Sequence, residues 1–121
     1  MKITVDQILA RIPGPPNATW PQGARSAVAF DDTQVELRLF HPGGPDRQQP
    51  HERDEFYVIV AGRGEFVIDH PAPRGSERLD FAPTDVLFVP ARVPHRFENF
   101  SPDFTAWVVF YGPAHPVREM R

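Results

Sequence analysis

His51, Glu55 and His95, with Gln49 two residues ahead of the first histidine, are the residues of this chain best suited to chemistry. They fall in two stretches, Gln49-Pro-His-Glu-Arg-Asp-Glu55 and Pro90-Ala-Arg-Val-Pro-His-Arg-Phe-Glu-Asn99. A neutral imidazole offers a lone pair to a metal, a carboxylate adds charge, and an amide oxygen is a weaker neutral donor. One carboxylate against a divalent ion leaves about one net positive charge, which attracts an anionic oxygen ligand. Two histidines and a carboxylate form the donor set of non-haem iron oxygenases, and zinc, manganese and nickel accept the same types. The expectation is a divalent cation (Zn, Fe, Mn or Ni) held by Gln49, His51, Glu55 and His95, with room left for a ligand. Gln49 either binds the ion, holds a water on it, or contacts substrate.

These side chains converge only if strands aim them. Residues two apart in a strand share a face. If pairing continues through Arg53, then Gln49, His51, Glu55, Tyr57 and Ile59 line one side. The same rule gives His95, Phe97 and Asn99 a common face, and a sheet folded on itself would bring the two faces together. Tyr57 is then the candidate acid/base hydroxyl beside the metal, although Tyr57, Phe97 and Trp107 also suit a core.

The rest of the chain supplies such strands. Fifteen prolines among 121 residues imply short elements joined by rigid turns, because proline removes a backbone donor. Alternation of Val35, Leu37 and Leu39 with Glu36 and Arg38 predicts a strand with one buried and one wet face. Further strands are expected over 55–60, 65–69, 77–81, 86–89, 93–98 and 104–111, with Gly62-Arg-Gly64 making a hairpin turn. About eight short strands in a chain of this length indicate an all-β sandwich or small barrel. Ahead of them, Thr4-Val-Asp-Gln7 reads as a capping box. Val5, Ile8, Leu9 and Ile12 recur at helical spacing until Pro13-Gly-Pro-Pro16. The organisation expected is a helix and connecting segment over 1–25, a barrel over 26–112 and a tail over 113–121 that could reach a partner subunit.

Composition excludes several classes of function. Without cysteine there are no disulfides and no thiolate metal sites. The net charge of −3 and pI near 5.9, with scattered basic residues, argue against nucleic acid as partner. Asp6 and Arg11 interrupt the start of the chain, so no secretion signal is read there. No window approaches the roughly 18 apolar residues of a membrane helix. A cytoplasmic protein without a membrane partner is expected.

The two stretches resemble the paired motifs of the cupin superfamily. Gly43, Gln49, His51, Glu55 and Gly62 reproduce the spacing of the first motif, G-x5-H-x-H-x3-E-x6-G, with Gln49 in place of its first histidine. Pro90, His95 and Asn99 match the second, G-x5-P-x-G-x2-H-x3-N, with Thr84 and Arg92 where the glycines would be. The resemblance covers residues 43–99. It implies a double-stranded β-helix (jelly-roll) barrel with a short N-terminal helix, ligation by His51, Glu55 and His95, and Gln49 at the remaining ligand position. Type I phosphomannose isomerases, also cupins, show that glutamine can ligate zinc. A homodimer is implied too, since cupins commonly pair through a sheet, and Phe56, Val58 and Val60 would supply that face unless the barrel's own layers bury them.

Two functions follow. One is a metal-dependent enzyme, of dioxygenase or isomerase type, acting on a small oxygen-rich or aromatic substrate. The other is a non-catalytic module that binds a small ligand. His70 and His115 are expected to be surface or structural, His41 to stand near the barrel mouth, Arg53-Asp54 to form a solvated turn, and Asn99 to be a structural hydrogen-bonder.

Overall fold

The computed structural model describes residues 1–46 and 48–112; the expected tail over 113–121, with His115, lies outside the described residues. The capping box forms as read. The Thr4 hydroxyl accepts from the Gln7 amide at 3.2 Å, and the Gln7 side chain accepts from the Thr4 amide at 3.0 Å. The helix α1 (Val5–Leu9) is shorter than the apolar spacing to Ile12 suggested. It buries Ile8 and packs against the first two strands. No described helix is long and apolar enough to cross a membrane.

Among the described residues, eight antiparallel strands follow: β1 (Ser26–Asp31), β2 (Val35–Phe40), β3 (Asp54–Ala61), β4 (Gly64–His70), β5 (Gly75–Phe81), β6 (Val86–Val89), β7 (His95–Glu98) and β8 (Thr105–Tyr111). They form a five-stranded sheet, β1-β2-β8-β3-β6, and a three-stranded sheet, β5-β4-β7. Pairing of β3 with β8 and of β4 with β7 wraps the chain into a jelly roll. The β1 strand is the one element not singled out from the sequence.

Aromatic residues fill the space between the sheets. The Phe97 ring centroid lies 4.7 Å from that of Phe104 and 4.9 Å from those of Tyr57 and Phe66. Such offset and edge contacts contribute beyond simple area burial.

Register decides which residues face that core. Arg38 pairs with Val108, which pairs with Tyr57; Glu36 pairs with Phe110, which pairs with Glu55. Residues level across a sheet share a face, so Glu36 and Arg38 point to the inside of the barrel mouth. The wet face of β2 expected from the sequence is thus a polar stretch of the interior. Leu39, on the reverse side, is fully buried.

The second motif keeps its turns without its glycines. Thr84 and Arg92 have φ of 75° and 68°. Gly62 does need to be glycine: its φ is 90°, and a Cβ there would lie 2.5 Å from the Phe104 Cα. Left-handed backbone is costly for a β-branched residue. Thr84 is exposed, and its amide donates to the Ile59 carbonyl at 2.8 Å, a bond glycine would retain. Thr84→Gly is therefore expected to stabilise the fold by about 1 kcal/mol, net of the greater freedom of glycine in the unfolded chain. Urea unfolding midpoints would show this, and a lower midpoint for the variant would refute it.

Candidate metal centre

The two sheets bring the motif residues together at one end of the core. Glu55 and Tyr57 project inward from β3, and His95 and Phe97 do so from β7, opposite Ile68 and Phe66 of β4. His51 arrives from the segment just before β3, its ring edge-on to Phe110 at 4.8 Å. One ligating atom each from His51, Glu55 and His95 fall within 4.8 Å of one another. That spacing is compatible with a shared cation.

Burial sets the electrostatics of the group. Glu55 is only 1 % exposed, and its Oε1 lies 3.2 Å from His95 Nε2. The other oxygen, Oε2, is buried and has no hydrogen-bond partner among the described residues. His95 Nδ1 donates to the Val93 carbonyl at 2.8 Å. Nε2 then faces Glu55 and would offer its lone pair to a metal once its proton is released, the arrangement in which a backbone carbonyl orients a ligating histidine. A buried acceptor oxygen beside an imidazole oriented in this way suits a cation.

Around this group the structure differs from the register expected for residues 49–53. Strand pairing begins only at Asp54, and Pro50 supplies no backbone donor, so alternation does not extend back to Gln49. Gln49 is exposed and lines the neighbouring pocket. The amide in hydrogen-bond contact with the cluster is that of Gln48. Its Nε2 donates to Asp46 Oδ2 at 3.0 Å, which turns Oε1 toward Tyr57 Oη, at 3.0 Å, and His51 Nε2, at 3.3 Å. Asp46 also accepts from the Gln48 and Phe97 amides, at 3.1 and 2.9 Å. The Asp46-Arg-Gln48 spacing after a proline is a turn signature that could have drawn attention to Gln48.

Tyr57 is fully buried and does not line the pocket; its hydroxyl lies 3.0 Å from both His95 Nε2 and Gln48 Oε1. Burial, with the nearby Glu55 and Asp46 charges, holds it well above the ordinary tyrosine range, so it stays a neutral hydroxyl. His41 binds the Phe104 carbonyl and the Thr105 hydroxyl, and His70 pairs with Glu77; neither joins the cluster. Asn99 donates to Glu65 at 2.7 Å, a structural contact. Arg53 is half-buried on the pocket wall, not in a solvated turn.

The pocket measures about 440 Å³ and reaches the cluster at His51 and Gln48. Trp20, Phe40, Val108 and Phe110 give it apolar walls, and Arg38, Arg53 and Glu36 a charged one.

A two-sheet antiparallel barrel with a buried His–Glu–His group at its mouth defines a class of protein that the family comparison names. Residues 36–111 match the family model described as a cupin domain, and the chain belongs to that family. An uncharacterised protein of Streptomyces coelicolor is 37% identical over 79 residues, covering 65% of this chain and 70% of its own. Among solved structures, a Neisseria meningitidis protein superposes with a TM-score of 0.60 at 18% identity, covering 93% of this chain and 100% of its own. A DMSP lyase of Ruegeria pomeroyi gives 0.51 at 24% identity, over 74% of this chain and 48% of its own. At such identities the structural likeness concerns the fold alone.

The two imidazoles differ in proton affinity. Burial lowers that of His51, against the opposing pull of Glu55. Burial also opposes charging of His95, but the hydrogen bond and charge of Glu55 outweigh it and raise its pKa. His95 is thus the imidazole that holds a proton more firmly, and a proton there competes with an incoming metal. Metal affinity should therefore fall on acidification through the His95 transition, by up to about tenfold per pH unit below it. Calorimetric titration with Zn²⁺ in buffers of different ionisation enthalpy should show proton release; affinity constant from pH 5.5 to 8 would contradict this assignment.

Proposed function

We propose that this cupin is a metal-dependent enzyme whose divalent transition cation is held by His51, Glu55 and His95. Gln48 lies beside it, and Gln49 stands on the substrate side. The observation that carries this reading is Glu55 Oε2, a buried carboxylate oxygen with no hydrogen-bond partner among the described residues. Removing a carboxylate from water costs several kcal/mol unless a cation compensates. His95 meets one of its two oxygens. A structural zinc site is normally closed by four protein donors, whereas three leave positions for substrate.

Once bound, the ion would supply Lewis-acid polarisation of a substrate oxygen, or electron exchange if it is iron. The chain's own residues do the rest. Phe110 and Val108 exclude water from one side of the pocket, and Gln48, fixed by Asp46, presents an oxygen beside His51. Tyr57 keeps its proton, donates a hydrogen bond to Gln48 Oε1 and keeps its oxygen 3.0 Å from His95 Nε2, so its role is positioning.

Elemental analysis of protein purified without added metal should find about one transition-metal ion per chain, as expected for a site whose binding energy is coupled to the fold. His95→Ala should abolish metal uptake while leaving the circular dichroism of the barrel intact. Less than a tenth of an equivalent, with no uptake from added Zn²⁺, Fe²⁺, Mn²⁺ or Ni²⁺, would end the metal reading. Oxygen consumption with Fe²⁺ and catechols or β-diketones identifies a dioxygenase; anaerobic conversion that tolerates zinc identifies an isomerase or lyase.

We also propose that two copies pair through the outer face of the five-stranded sheet. Phe56 stacks on Tyr111 at 5.6 Å and lies 5.1 Å from Phe88. Val86 and Phe88 are 58 % and 45 % exposed, an apolar patch on an edge strand of the kind that marks an interface. Sedimentation velocity should give a dimer that Phe88→Glu converts to a monomer, and a monomeric parent would refute the pairing.

A further inference from the structure

The buried side-chain atoms that lack hydrogen-bond partners among the described residues are Glu55 Oε2, Trp20 Nε1 and Arg53 Nη1. The first is the acceptor at the candidate metal centre. The other two are donors, and both belong to residues that line the adjoining pocket. A buried donor without an acceptor costs on the order of 1–3 kcal/mol, and more when it is charged. Two such donors on the walls of one pocket point to a ligand that brings acceptor oxygens.

The charges on these walls say which kind. Glu36 is the one carboxylate between two guanidiniums. It lies 2.6 Å from Arg38 Nε but 3.7 Å from Arg53 Nη1, beyond hydrogen-bond distance. The Ser26 hydroxyl takes Arg38 Nη1 at 3.0 Å, which fixes the Arg38 head without neutralising it. At the rim, Glu52 is matched by Arg92 at 3.0 Å. On the inner part of the wall two guanidiniums thus share one carboxylate, and the side chains of Glu36, Arg38 and Arg53 are each only a quarter to a third exposed.

We propose that the pocket selects small organic carboxylates, the carboxylate meeting Arg53 and Arg38 with help from the Trp20 indole, and the rest of the molecule extending toward His51. A planar guanidinium matches a planar carboxylate in a two-point contact. Two guanidiniums that already share one carboxylate suit a singly charged head better than a phosphate. Trp20, Phe40 and Phe110 suit an apolar body. Arg38 lies two strands from Tyr57, and Glu36 two strands from Glu55, about 10 Å at the usual strand spacing. Long arginine side chains shorten that gap to the length of a small acid. This assignment rests on the metal-centre reading for what happens at the far end of the ligand, but the anion-binding wall is built wholly from side chains of the barrel and its N-terminal segment.

The test measures binding of matched pairs, benzoate against benzamide and propionate against propionamide, with phenyl phosphate as a third arm. The full chain is used both metal-loaded and treated with chelator, and the Trp20 indole resonance, assigned with Trp20→Phe, is followed by NMR. The carboxylate of each pair should bind about ten- to a hundredfold tighter than its amide, the range for a hydrogen bond to a charged group, and should shift that resonance. Arg53→Gln, and separately Arg38→Gln, should erase the preference while metal uptake stays at the parent level. Equal binding of acid and amide, no binding of any acid, tighter binding of phenyl phosphate than of benzoate, or a preference that survives both variants would overturn the proposal. If the chain takes up no metal yet prefers the acid after chelation, the metal reading fails and this one stands. If metal uptake is normal and the preference is missing, only this one falls.

Discussion

The organisation of this barrel depends on one buried carboxylate. Glu55 comes from the larger sheet and His95 from the smaller, and their 3.2 Å contact ties the two layers together at the end where the site opens. A charge in that position is unfavourable unless its neighbours answer it. The groups within reach do so in a definite order. His95 is turned by the Val93 carbonyl, Tyr57 bridges His95 to Gln48, and Asp46 fixes Gln48 from behind. Among the described residues the buried side-chain atom of this network left without a partner is Glu55 Oε2, and a network so nearly satisfied is rigid, which favours one geometry around a cation.

A second constraint joins the two motif stretches through the main chain. Arg92 holds a left-handed backbone, and its amide donates to the His51 carbonyl at 2.6 Å. Its side chain reaches Glu52, beside that histidine. The turn that leads into His95 therefore also sets where His51 stands. The conformational cost at Arg92 is offset by contacts that glycine could not make with a side chain, a physical reason for the motif to tolerate this replacement.

Much of this was legible in the residues. Alternation located β2 and the later strands, the capping box located α1, and motif spacing brought His51, Glu55 and His95 into one cluster. Three things were not legible, each for a physical reason. The side-chain period of two holds only where a strand is paired, so extending it through Pro50 placed Gln49 at the cluster where Gln48 stands. Polar residues on a strand ordinarily face solvent, so Glu36 and Arg38 read as an outer face although register turns them inward. Trp20 lies in a segment without periodicity, and nothing local signals that it packs on Phe40 at the pocket.

That tryptophan is carried by a loop ahead of the first strand. The loop is closed by reciprocal amide–carbonyl contacts between Gly14 and Ala24 and by an Asn17 side chain that caps the Trp20 amide. Residues before 36 lie outside the stretch matched by the family model. One wall of the cavity is consequently carried by a loop outside the strands that present the ligating groups. Changes at Trp20 can reshape the apolar side of the cavity without touching those groups, whereas the charged side, with Arg53 between His51 and Glu55, is bound to change along with them.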